Sequence, residues 1–179
     1  KNRGGNGLRI GYRFLEPGEI SIHDDRWLTY PWGVNGGHPG ARSNKLLKRK
    51  DGTQEWLPSK CDRVKVSDGD ILYFNTWGGG GWGDPLQRDA QLVATDVKRG
   101  LVTREGARRY GVVLKDDGSV DDKATLALRA RIAAERPELQ LFERGGTIEE
   151  LRARCKEETH LEPPKAPVFA KRYQRKALA

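Results

Sequence analysis

Methionine is absent from all 179 residues, position 1 included. A complete translation product opens with Met unless it is processed, and Lys1 is a poor product of ordinary Met removal. The chain is therefore expected to be a piece of a longer polypeptide or a processed subunit. Cysteine is nearly absent as well. Cys61 and Cys155, far apart in sequence, exclude a disulfide framework and a four-cysteine zinc site, and two separated thiols suit a reducing cytoplasm. Long apolar runs are missing. Ile71-Leu72-Tyr73-Phe74 is among the longest, against the roughly 20 residues a membrane-crossing helix needs. No charged-then-apolar leader opens the sequence, so no signal peptide is expected.

Acidic residues are missing from the C-terminal end. From Lys165 to Ala179 there are five basic residues and no acidic one, which leaves 28 basic against 25 acidic before it. The net charge of +8 is thus a basic tail on a nearly balanced body. Such a tail is expected to meet an acidic neighbour or stay solvated, and neither nucleic acid nor membrane is expected as a partner. Mean hydropathy of -0.77 and 36% apolar residues make a lean core, yet five Trp, five Tyr and four Phe can bury enough surface to fold.

What is present changes character near residue 84. All five Trp and 16 of the 22 Gly come before it. The expected class is α+β: a β-rich antiparallel half with Gly/Trp-rich loops (1–84), a short-helix part (85–161) and an extended Pro-rich basic tail (162–179). Leu8 to Phe14 and Glu19 to His23 alternate with the period of a half-buried strand. The turn residues Glu16-Pro17-Gly18-Glu19 between them predict a β-hairpin. Strands are also expected at Arg63–Val66 and Ile71–Phe74, around the turn Ser67-Asp68-Gly69-Asp70. Arg26 to Pro58 lacks periodicity and reads as a long, functional or mobile loop with an exposed hairpin tip at 48–52. Beyond Asp84, helices are expected over 89–99 (Leu92, Val93 and Val97 inward, Gly100 as stop) and from Thr103 to Gly111. Two more are expected after Asp121 and after Thr147, where Thr147-Ile148-Glu149-Glu150 matches a capping box and Ile148, Leu151 and Cys155 share a face.

Thr76-Trp77-Gly78-Gly79-Gly80-Gly81-Trp82-Gly83-Asp84-Pro85 is the loudest motif. Four glycines let a backbone approach something closely and expose its N–H groups, as phosphate and oxyanion loops do. The Lys-Ser/Thr ending of a Walker loop is missing, and so is the βαβ setting of a dinucleotide fold. Structural turn, ligand-adjacent loop and, less well matched for want of Ser and with Trp on both sides, flexible linker are the readings. In the second, Trp77 and Trp82 anchor the loop by burial and leave the glycine backbone exposed. His23-Asp24-Asp25-Arg26 at a strand end offers a metal or acid/base set, but neighbouring strand residues face opposite ways, and a solvated strand end is the plainer reading. His38, His160 and Cys61 are isolated. A helix-turn-helix over 89–110 has the length but also Gly106 and the following acids against it.

Taken together, 78–89, Val93, Asp96-Val97, Gly100-Leu101-Val102-Thr103 and Tyr110 to Leu114 resemble the C-terminal region of the hydantoinase B family. Asp25-Arg26, Pro31-Trp32-Gly33, Gly36-Gly37, Pro39-Gly40 and 145–159 agree, so the resemblance runs along nearly the whole chain. It implies part of an ATP-dependent cyclic-amide hydrolase (hydantoin, 5-oxoproline or lactam) or of a related ketone carboxylase. It also implies a hydantoinase A-like, actin-like partner that binds Mg-ATP, and a remaining N-terminal portion of the hydantoinase B-type subunit. The family's metal-binding and acidic motifs lie in that portion, so any catalytic metal is expected outside this chain and no catalytic residue is assigned within it. Gly78, Gly79, Gly80, Gly81, Trp82, Arg26 and Trp32 are the substrate-adjacent candidates. A scaffold that only holds such a complex together is the competing reading.

Overall fold

The structure, a computed structural model, describes residues 1–165; most of the expected basic tail lies outside the described residues. Strands β1 (Arg9–Arg13), β7 (Ile71–Asn75), β4 (Asn44–Lys48) and β5 (Gln54–Leu57) form one antiparallel sheet in the order β1-β7-β4-β5. Strands β2 (Gly18–His23) and β6 (Lys60–Val66) form a second. Ile22, Leu47, Leu57, Val66 and Leu72 fill the space the two sheets share, with Phe14, Ile20, Cys61 and Val64 packed around them.

The expected hairpin of β1 with β2 does not form. Both strands exist, but β1 pairs with β7 and β2 with β6. The chain changes sheet after Phe14 and again at Ser67–Asp70, and the two crossings lie side by side: Phe14 N–H donates to Asp70 O (2.9 Å) and Gly69 N–H to Phe14 O (2.9 Å). Each turn therefore satisfies the other's main chain rather than closing its own hairpin. Buried Asp70 secures the corner, accepting from Ser67 N–H (3.0 Å), Lys50 N–H (3.0 Å) and Arg49 Nη1 (3.1 Å).

The expected loop over 26–58 is largely ordered into strands. β4 and β5 make a hairpin whose tip, closed between Arg49 and Thr53, overlaps the one expected at 48–52. β4 lies in the interior of its sheet, and Lys45 points inward with Leu47 two residues on, both with no exposed surface. The Lys45 ammonium pairs with buried Asp24, whose carboxylate also takes the Ser43 hydroxyl, and it lies 4.9 Å from the Phe74 ring centre. Burial lowers the Lys45 ammonium to about 8.

The helical part follows the sequence closely. Asp89 caps α1 (Ala90–Lys98), Asp121 caps α2 (Asp122–Glu135), and Thr147 caps α3 (Ile148–Thr159) with the full capping box. Two expected inward residues face out, Leu92 at 51% and Ile148 at 48% exposure; Val93, Leu151 and Cys155 carry the burial instead. The segment before Gly111 is a 3-10 turn (Gly106–Tyr110), which leaves the helix-turn-helix without its second helix. Val93, Ala107, Val112 and Val120 form a second core. The helical part returns to the β half through β8 (Phe142–Glu143), which pairs with β3 (Gly33–Val34). No helix among the described residues is long and apolar enough to cross a membrane.

Candidate functional site: a groove walled by glycine backbone

Three glycine-bearing segments converge on one another. The 78–83 loop lies between residues 2–7 and residues 32–40. Gly79 N–H donates to Gly5 O (2.8 Å), Gly81 N–H to His38 O (2.9 Å), Val34 N–H to Gly81 O (3.0 Å) and Trp82 N–H to Asn2 O (2.8 Å). None of Gly78 to Gly81 has positive φ, so close approach is what requires glycine here. A Cβ on Gly80 would overlap the Trp32 carbonyl oxygen, one on Gly4 the Gly79 carbonyl, and one on Gly37 the Gly81 carbonyl; one on Gly40 would sit 2.6 Å from Gly79 O. What comes too near for a side chain is the protein's own backbone.

This reverses the expected loop geometry. Trp77 and Trp82 are exposed at 42% and 49%, whereas Gly78 and Gly83 are buried and Gly80 is pressed against Trp32. The tryptophans do not anchor the loop; the backbone layers on either side do.

Along one side of these layers runs an open groove of about 860 Å³. Gly78, Gly79 and Gly81 form part of its wall, with residues 1–9, His38, Arg42 and, across the groove, Arg109 and Tyr110. The other candidates lie elsewhere. Gly80 is behind the wall, and Trp82 is outside it. Trp32 meets Phe142 edge-on at 5.9 Å with the Arg144 guanidinium over its ring at 4.9 Å. Arg26 adopts φ 57°, directs Nη1 toward Tyr30 O (3.4 Å), and accepts Ser43 N–H at its carbonyl (2.9 Å). The His23 set disperses too: exposed His23 meets Asp62 (3.2 Å), Asp24 is buried with Lys45, and Asp25 lies 3.7 Å from Lys60.

Sequence reasoning passed over the residues that hold the groove in shape. Asp96 on α1 accepts from Arg3 Nε (3.0 Å) and Arg88 Nη2 (2.8 Å), tying the first segment to the helical part. Burial works to raise the Asp96 carboxyl, but the two guanidiniums outweigh it and the net shift is downward. Asp84, which ends the glycine loop, takes both Arg136 nitrogens (2.6 and 2.7 Å) and the Leu86 N–H (2.9 Å). The Arg136 hydrogen bonds hold its carboxyl below the ordinary value. The spacing of Gly4, Gly5 and Gly7 against Gly36, Gly37 and Gly40 was the available signal: glycine runs on three segments that must pack on each other.

The groove wall has cations, main-chain donors and amide side chains, but no carboxylate or thiol, and His38 is its one imidazole. That composition binds and orients rather than performing acid/base chemistry alone. Among the described residues no three of His, Cys, Asp or Glu come together as a metal site.

An α+β module of two small antiparallel sheets, a helical cap and a groove of layered glycine backbone defines the class. Residues 1–85 match the family described as Hydantoinase B/oxoprolinase. Over these residues the chain is a member of that family. It is 41% identical over 125 residues to an uncharacterized protein of Methanocaldococcus jannaschii, covering 68% of this chain and 22% of that one. It is 39% identical over 93 residues to 5-oxoprolinase 1 of Arabidopsis thaliana, covering 48% of this chain and 7% of that one. The crystal structure of the ATP-dependent caprolactamase from Pseudomonas jessenii superposes with TM-score 0.55 at 30% identity, over 69% of this chain and 22% of that one. The chain thus spans 22% of the length of the Methanocaldococcus relative.

Proposed function

We propose that this chain is the C-terminal part, or a split subunit, of a hydantoinase B-type component in an ATP-dependent cyclic-amide hydrolase that opens a hydantoin, 5-oxoproline or lactam ring. The observation that carries this reading is the likeness, in sequence and in fold, to an ATP-dependent caprolactamase. Mg-ATP is bound by an actin-like, hydantoinase A-like partner in the cytoplasm. The remaining N-terminal portion of the B-type component supplies the acid/base groups that the groove lacks. Phosphorylating a stable amide makes it electrophilic enough to open, which justifies coupling to ATP. In this arrangement residues 1–84 contribute a substrate-adjacent wall through Gly78, Gly79 and Gly81. Gly80, packed on the Trp32 carbonyl, and Trp82, paired through its main chain with Asn2, back that wall, and 85–161 braces it through Asp84–Arg136 and Arg3–Asp96. The chain is inactive alone.

The test is reconstitution with both other components, reading ring opening and phosphate release together. Coupled turnover is expected only when this chain is present. Equal turnover without it, or bicarbonate-dependent consumption of a ketone in place of ring opening, overturns the reading.

A further inference from the structure

We infer that the glycine-walled groove is a binding site for a small oxyanion, a phosphate or carboxylate group, held by main-chain N–H groups and the guanidiniums of Arg9 and Arg109. The first observation is charge. The groove is lined by Arg3, Arg9, Arg42, Arg109 and Lys1 and by no Asp or Glu. Arg3 and Arg42 are neutralised by Asp96 and Glu158. Arg9 stacks 4.8 Å from the Tyr73 ring centre, and among the described residues neither Arg9 nor Arg109 pairs with a carboxylate. Two arginines without an acidic partner therefore line one concavity that has no Asp or Glu in its wall.

The second observation is independent of charge. Among the described residues the N–H groups of Gly5, Gly7 and Gly78 have no acceptor, although Gly78 is buried. A buried main-chain donor is normally satisfied, so the Gly78 N–H, with the solvent-accessible Gly5 and Gly7 on the neighbouring segment of the groove wall, offers donors that an anion could take. The close packing explains why side chains are excluded behind the wall. It does not explain why these donors remain open in front of it.

The site concerns binding by this chain, so it is tested without turnover, and its failure is distinct from failure of the enzyme reading. Inorganic phosphate and, separately, acetate are titrated into the purified chain at constant ionic strength while amide resonances are followed. Saturable shifts at Gly5, Gly7 and Gly78 are expected with at least one probe. Phosphate alone identifies a tetrahedral ligand, acetate alone a carboxylate, and both the shared oxyanion chemistry. Arg109→Ala and Arg9→Ala, both at exposed positions, should each weaken binding about tenfold, the loss of one charged hydrogen-bonding partner. Lys48→Ala removes a charge outside the groove and should change nothing. No saturable shift with either probe overturns the inference, as does equal weakening by Lys48→Ala.

Discussion

Gly4 and Gly5 are neighbours in sequence, yet a methyl group would meet opposite fates at the two. At Gly4 it would overlap the Gly79 carbonyl, and main chain on both sides leaves little room to yield. At Gly5 nothing lies within 4 Å. Gly4→Ala should therefore destabilise by about 2–3 kcal/mol, the upper part of the overpacking range, while Gly5→Ala stays within about 0.5 kcal/mol of the parent. Paired urea titrations check this, and equal effects would show that the layers are not tight. Asp84 and Arg136 make a second residue-scale case. The folded carboxyl lies below its unfolded value of about 3.9. Its stabilisation is therefore complete above that pH and is lost as the pH falls through the folded value. Arg136→Ala should cost about 3 kcal/mol at neutral pH by leaving a nearly buried carboxylate without its main partner. The variant and parent should converge in stability as the solution is taken below about pH 4. A gap that stays constant with pH would count against this pairing.

Among the elements, those governed by local chemistry were the legible ones. Asp89, Asp121 and Thr147 each cap the helix they were expected to begin, and Gly111 ends its 3-10 turn in the left-handed conformation. Thr147 accepts the Glu150 N–H at 3.2 Å, and Glu150 returns by accepting the Thr147 N–H at 2.8 Å. Thr147→Ala should cost about 1 kcal/mol, with hydrogen exchange faster in the first turn of α3 and unchanged in α1. Uniform change in both helices would mean that the cap does more than hold its own turn. Strand pairing was harder to see because it depends on partners far along the chain. A Pro-Gly turn between β1 and β2 fits a hairpin locally, and only the sheet-crossing contact of Phe14 with the 67–70 turn forbids it. β4 was hidden for another reason. Its inward position is a lysine, and the alternation appears only once Asp24, 21 residues earlier, is known to neutralise it.

For the molecule as a whole, the family was readable because several short motifs, from Asp25-Arg26 and the glycine–tryptophan loop to 145–159, occur in one order along the chain. The groove was not, because it is made where segments 2–7, 32–40 and 78–83 meet, and no local pattern announces such a meeting. The same convergence produces an aromatic face. β8, β3 and the bridging residue Trp82 lie side by side, with Val34 opposite both Phe142 and Trp82. Directly opposed residues share a face, and Trp32 lies two positions before Val34 and meets Phe142 edge-on. Trp32, Trp82 and Phe142 are exposed at 45%, 49% and 46%, whereas Trp27 is 3% exposed. In the proposed assembly the remainder of the hydantoinase B-type component covers these exposed aromatics. In the chain alone, acrylamide should quench a large part of the tryptophan emission. Adding the remaining B-type portion should protect that part, and Trp32→Phe with Trp82→Phe should remove most of the protected signal without altering the quenching-resistant fraction from Trp27. Protection that persists in the double variant would place the docking surface on another face, nearer Trp77 and the mouth of the groove.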